Sequence, residues 1–226
     1  MHVRLMQIGV REVLSVDPQA GPGDERHITA QWRERLAREQ PYLRFGPAAA
    51  PFLAPADGPA AQRGTEAPTR PRDIVIHAGG GGVRKQWPVE QFADLGASLV
   101  GQGLSVRYAL GPVEIERFPA WAEMLSATAP VDVCLTLESL VRRLGEARLY
   151  VGNDSGPGHV AASLGVPTVT LFGPTQASVW RPLGPFCRPI PGDPAAANWG
   201  ITAAQVRAEV VALLDAVDGG MTRVTN

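Results

Sequence analysis

Cysteine is scarce: Cys134 and Cys187 are the only two in 226 residues. No cluster of cysteine and histidine surrounds either one, so neither a zinc site nor a disulfide framework is expected. A surplus of one charge is lacking as well. Lys and Arg number 21 against 22 Asp and Glu, a net charge of −1, so nothing global attracts nucleic acid or an anionic membrane. No apolar run approaches the ~20 residues of a membrane-spanning helix. Near the start, Arg4, Arg11 and Glu12 interrupt what would be the apolar core of a signal peptide. The expected location is cytoplasmic, with a peripheral position at the inner membrane face left open.

Glycine (25 residues), proline (21) and apolar side chains (45%) are plentiful. That apolar share is enough for a real core. The distribution separates unlike regions. From Pro41 to Pro71 the chain is rich in Pro, Ala and Gly and poor in apolar periodicity, which reads as a linker or long loop. Before it, Ile28–Glu39 can form one helix with Ile28, Trp32 and Leu36 on a single face, and residues 3–16 can supply a strand or two. The expected organisation is a small leading region over 1–45, a linker over 46–71 and one domain over 72–226.

After Asp73 strands and helices alternate. Strands are expected at Ile74–His77, Leu104–Leu110, Val131–Leu135, Leu149–Gly152 and Thr168–Phe172. Helices are expected at Pro88–Val100, at Pro112–Ala127 with an interruption at Pro119, at Leu137–Ala147 and at Gly158–Leu164. A last helix runs from about Thr202, with capping-box spacing to Gln205, as far as Val217. Cys187 falls in a late loop and Cys134 in a buried central strand. This alternation implies an α/β fold with a Rossmann-like parallel sheet covered on both faces. Such sheets bind ligands at the carboxyl ends of their strands.

Two loops at that end carry candidate chemistry. The first is His77-Ala-Gly-Gly-Gly-Gly-Val-Arg-Lys85-Gln-Trp-Pro88. Its glycines let backbone N–H groups approach a ligand, and Lys85 adds a mobile positive charge, a combination suited to a diphosphate. It is not a Walker A loop, because no glycine precedes Lys85 and Gln86 stands where Ser or Thr belongs. A flexible turn with a solvated lysine is the competing reading. The second loop, Val151-Gly-Asn-Asp154-Ser155-Gly156-Pro157-Gly-His159, leads from a strand into a helix. The helix start offers N–H groups and the positive end of a dipole to phosphate oxygens. Asp154 would be repelled by a diphosphate, so it suits sugar hydroxyls better; capping the helix is its alternative use. His159 can reach a phosphate or a sugar, or be purely structural.

Residues 151–175, VGNDSGPGHVAASLGVPTVTLFGPT, resemble the signature of glycosyltransferase family 9, the ADP-heptose:lipopolysaccharide heptosyltransferases. Residues 74–99 resemble the family's other C-terminal motif, in which a histidine and a Gly-rich turn precede a lysine and a Trp-Pro pair. The resemblance covers roughly 72–218. It implies a GT-B architecture, two Rossmann-like domains facing across a cleft, with this stretch as the C-terminal, donor-binding half. It implies that Gly80, Gly81 and Lys85 meet the donor diphosphate, that Asp154 holds the sugar, and that Ser155 and Gly156 offer backbone N–H groups to phosphate, with His159 nearby. It also implies a glutamate on the nucleotide ribose, for which Glu114 is the better candidate and Glu116 the rival; a solvated helix charge is the plain alternative for either. Ala78 departs from the family's usual proline. The family's opening strand and its glycine–aspartate loop, with the acceptor base, have no match here. His27–Phe45 instead resembles the tail of the acceptor domain, so the N-terminal region reads as truncated.

The implied reaction transfers a sugar from a nucleoside diphosphate, with ADP-heptose as the family's donor, to a glycan or lipopolysaccharide-core acceptor with inversion. Lys85 and Asp154 are the candidate catalytic residues. No metal or further cofactor is expected, since no Asp-x-Asp pair is present. A second chain supplying the missing lobe is one way to complete the enzyme. A truncated, non-catalytic nucleotide-sugar-binding module is the alternative. A phosphate-binding nucleotidase or kinase fits less well, for want of a Walker A loop or an acidic metal cluster.

Overall fold

The computed structural model describes residues 23–31, 34, 73–184 and 186–221. The chain divides into two compact units, Met1–Ala48 and Ala49–Asn226. In the first, residues 28–31 and Glu34 are helical. The Arg26 guanidinium precedes that helix and bonds Asp24 at 2.7 Å and Glu34 at 2.9 Å. The remainder of the expected 28–39 helix, the strands expected within 3–16 and the 46–71 linker lie outside the described residues.

The second unit is a six-stranded, wholly parallel sheet: β1 Ile74–His77, β2 Val106–Leu110, β3 Val131–Val133, β4 Leu149–Asn153, β5 Thr168–Phe172 and β6 Cys187–Pro191. The helices are α1 Val89–Gly101, α2 Pro112–Arg117, α3 Ala120–Ser126, α4 Leu137–Gly145, α5 Gly156–Ser163, α6 Ala177–Trp180 and α7 Ala203–Met221, with a 3₁₀ turn at Val83–Lys85 and a left-handed turn at Ala197–Gly200. The strand order is β3-β2-β1-β4-β5-β6. The order reverses between β1 and β4, and a crevice opens there at the carboxyl ends of the strands.

Burial on both faces explains why the central strands β1 and β4 open on continuous apolar runs, Ile74–Ile76 and Leu149–Val151, rather than alternating ones. Ile74 and Ile76 of β1 and Leu149 and Val151 of β4 point into one core with Trp87, Phe92 and Leu95 of the α1 side and Val206 and Val210 of α7. Their neighbours Val75 and Tyr150 point the other way, into a core with Leu144 of α4 and Ala161 of α5. Small residues matter at close approaches. Gly96 on α1 leaves room for the Tyr108 hydroxyl, which donates to the Phe92 carbonyl at 3.2 Å and ties β2 to α1.

The expected elements are present with ends shifted by a few residues, where terminal turns are set by local caps. The Pro119 interruption separates α2 from α3. Thr202 Oγ1 accepts from Gln205 N at 3.2 Å at the start of α7. Two assignments are corrected. Cys187 is not in a loop but opens β6, an edge strand in which Pro189 and Pro191 obscure the sequence signal, as edge strands tolerate. Cys134 is buried, but it follows β3, which is the opposite edge of the sheet and not a central strand.

Candidate functional site

The two Gly-containing loops leave β1 and β4, the strands on either side of the switch point. Asn153, fully buried at the end of β4, ties them together. Its amide nitrogen donates to the carbonyls of Ala78 (2.8 Å) and Gly79 (3.0 Å), and its oxygen accepts from Trp87 N (3.0 Å). Gln86 Nε2 donates to Gly80 O at 3.2 Å. Carbonyls of the glycine loop are therefore consumed by side-chain amides. Trp87 is buried beneath the loop and donates through Nε1 to Ile201 O at 3.2 Å.

A cavity of ≈ 520 Å³ lies over the carboxyl ends of β1 and β4, floored by His77 and Glu114 and bordered by Gly80, Gly81, Ser155 and Gly156. Five of the expected donor residues thus line one space. Glu114, on α2, is the buried candidate, while Glu116 faces solvent. The Glu114 carboxylate accepts from Gly111 N at 2.9 Å and has His77 Nε2 at 3.9 Å. A Cβ on Gly79 would overlap that carboxylate, so glycine is required there for Glu114 to approach the loop. Burial lowers the pKa of His77 below the usual imidazole value, against the opposing field of Glu114.

Beside the cavity, Asp154 is buried and Lys85 half exposed, and they form an ion pair at 3.2 Å. Thr175, in the loop after β5, donates its hydroxyl to the same oxygen, Asp154 Oδ2, at 2.7 Å. The Lys85 ammonium also stands 6.0 Å from the centre of the Trp180 ring. Asp154 does not cap α5: Ser155 is the N-cap, with no side-chain cap bond, and its hydroxyl goes to Asn153 O at 3.2 Å. The amino end of α5 therefore meets the cavity without a side-chain cap across it. His159, in the first turn of α5, is half-buried and is not among the cavity's lining residues.

Several contributors escape a linear reading. The Lys85–Asp154 pair joins residues 69 positions apart. Thr175 gives only the faint signal of a hydroxyl after Gly-Pro at a strand end. The cavity's apolar flank is Val113, Leu135 and Leu137, left 49%, 64% and 69% exposed. Large apolar side chains that stay open around a concave site suit a flat apolar ligand surface. Among the described residues no three His, Cys, Asp or Glu side chains gather as a metal site would require.

Strand order, switch-point crevice and glycine loop define a doubly wound, Rossmann-type ligand-binding domain. The chain belongs to glycosyltransferase family 9 (heptosyltransferase), whose family model matches residues 39–190. It is 38% identical over 110 residues to lipopolysaccharide heptosyltransferase 1 of Pseudomonas aeruginosa, a match covering 48% of this chain and 30% of that protein. It is 46% identical over 114 residues to lipopolysaccharide heptosyltransferase 3 of Escherichia coli K12, covering 48% and 33%. Among solved structures it resembles the ADP-heptose heptosyltransferase II of E. coli, with a TM-score of 0.58 at 26% identity over 68% of this chain and 49% of that one. It also resembles the E. coli heptosyltransferase WaaC with ADP-2-deoxy-2-fluoro heptose, with a TM-score of 0.59 at 25% identity over 84% and 57%. The matches span about a third of the curated relatives' length and about half of the solved chains.

Proposed function

We propose that this chain is the donor-binding half of a heptosyltransferase, taking a nucleoside diphosphate sugar, ADP-heptose by kinship, for transfer to a glycan or lipopolysaccharide-core acceptor. One observation carries the reading: the uncapped amino end of α5 and the Gly80–Gly81 turn border a switch-point crevice lined by Glu114, with the Lys85–Asp154 pair beside it. Glu114 accepts the ribose hydroxyls, and Val113, Leu135 and Leu137 cover the base. The glycine-loop N–H groups and α5 receive the diphosphate. Asp154 accepts from the sugar hydroxyls.

In the transition state the anomeric carbon gains oxocarbenium character while negative charge grows on the departing diphosphate. Lys85 and the α5 terminus stabilise that charge. The acceptor hydroxyl gives up its proton to a base on the acceptor lobe, which a second chain would supply. No helix among the described residues is long and apolar enough to cross a membrane; kinship with the lipopolysaccharide heptosyltransferases supports a cytoplasmic or peripheral setting.

Calorimetric titration with ADP, UDP and GDP, followed by ADP-heptose, tests the reading. Selective ADP binding that weakens in Lys85→Ala is expected. A folded protein that binds none of them would end the donor-site assignment.

A further inference from the structure

The segment between β6 and α7 does more than connect them. Asn198, Trp199 and Gly200 all have positive φ, at 50°, 58° and 66°. Two consecutive non-glycine residues in that region, one of them bulky, persist only where the surroundings hold them. Here the turn is closed by Trp199 N donating to Ala196 O (3.0 Å) and by Asp193 N donating to Trp199 O (2.9 Å). The left-handed backbone turns the Trp199 indole onto Gly173, where a Cβ would overlap the ring. Gly192 is equally constrained, since a Cβ there would lie 2.6 Å from Trp199 Cβ.

Gly173 begins the Gly-Pro-Thr loop whose Thr175 holds Asp154. Two residues beyond Trp199, the Ile201 carbonyl receives Trp87 Nε1, and Trp87 follows Lys85 by two positions. Both groups that grip Asp154 Oδ2, Thr175 and Lys85, therefore ride on loops pinned by residues 199–201. We propose that Trp199 is a positioning residue: its strained turn wedges the indole against Gly173 and sets the Thr175 hydroxyl, and through it the orientation of the sugar-facing Asp154. The proposal rests on the donor-site reading above.

The test is titration of the full chain with ADP and ADP-heptose. In Trp199→Ala the preference for ADP-heptose over ADP is expected to fall about tenfold while ADP itself binds within about twofold, the size of coupling common between contacting groups. Thr175→Val should reproduce that loss, and the double variant should be no worse than either single one. Trp199→Phe, which keeps a ring on Gly173, should restore the preference. Should Trp199→Ala fail to fold, Gly173→Ala pushes the loop off the ring with Trp199 in place and should cost the same preference. Losses that add in the double variant, an equal loss for ADP and ADP-heptose, or an unchanged preference in both Trp199→Ala and Gly173→Ala would overturn the proposal. Wild-type protein that binds neither ligand would instead defeat the donor-site reading beneath it.

Discussion

Two carboxylates stand at the crevice, Glu114 in its lining and Asp154 beside it, and their side chains are equally buried, each 7% exposed. Their surroundings differ. Glu114 meets a backbone N–H, a glycine chosen for its missing Cβ, and an imidazole that burial keeps neutral. Asp154 meets a cation and a hydroxyl, both on its Oδ2. Glu114 is thus held by the local fold of one loop and one short helix, whereas Asp154 is held by side chains brought from two distant loops. The first arrangement fixes a hydrogen-bond acceptor in the lining of the cavity. The second sets a buried carboxylate against a cation whose charge offsets its own.

The contrast can be broken outright at Asn153, which holds both loops. Asn153→Ala strands the Trp87 N–H and two carbonyls, so stability should drop by about 3 kcal/mol or more, at ~1–3 kcal/mol for each buried group left unpaired. Chemical denaturation would register it as a lower midpoint with an unchanged slope.

Lys85→Ala comes next. It removes the charge-assisted contact proposed for the diphosphate, and ADP affinity should fall about tenfold to a hundredfold, corresponding to ~1.5–3 kcal/mol for hydrogen bonds to charged groups. Calorimetry at constant salt measures it.

Asp154→Asn and Glu114→Gln sharpen the division of labour. Asp154→Asn should leave ADP affinity unchanged or slightly higher, since a negative charge leaves the phosphate region, yet remove about tenfold from the advantage of ADP-heptose over ADP. Glu114→Gln should weaken ADP and ADP-heptose alike, by about tenfold, because both carry the ribose. If the two variants gave the same pattern, the assignment of the carboxylates to different parts of the donor would be wrong.

The smallest effect expected is on pH dependence. His77 is depressed from its ordinary 6.5 by burial. As pH falls below that value the unfolded chain takes up a proton that the folded one refuses, so stability present above pH 6.5 is lost toward the folded pKa. Unfolding free energies from chemical denaturation between about pH 8 and 5 should fall more steeply for the wild type than for His77→Gln, by up to ~1.4 kcal/mol per pH unit.

Much of the domain could be read directly from the chain. Continuous apolar runs such as Ile74–Ile76 and Leu149–Val151 mark strands buried on both faces, and Pro119 marks a helix break, because these are local effects of burial and backbone geometry. The edge strand β6 stayed hidden because its two prolines and exposed residues imitate a loop. Gly80, Gly81, Ser155 and Gly156 could be picked out because glycine loops and helix starts advertise anion sites. Glu114 could be preferred to Glu116 but not separated from it, since they are two positions apart on one helix and only packing against Gly79 sends one inward.

By itself, then, the amino-acid sequence determined the parallel α/β class, the order of its elements through β5, the last helix, and the two loops that border the cavity. These depend on spacing and residue type within a few positions. Tertiary structure alone decided that Lys85 pairs with Asp154, that Thr175 completes the grip and that a left-handed Trp199 stands behind it. Those contacts join residues from β1, β4, β5 and β6 loops, and their partners are selected by strand order and by the close approaches that Gly79, Gly173 and Gly192 permit.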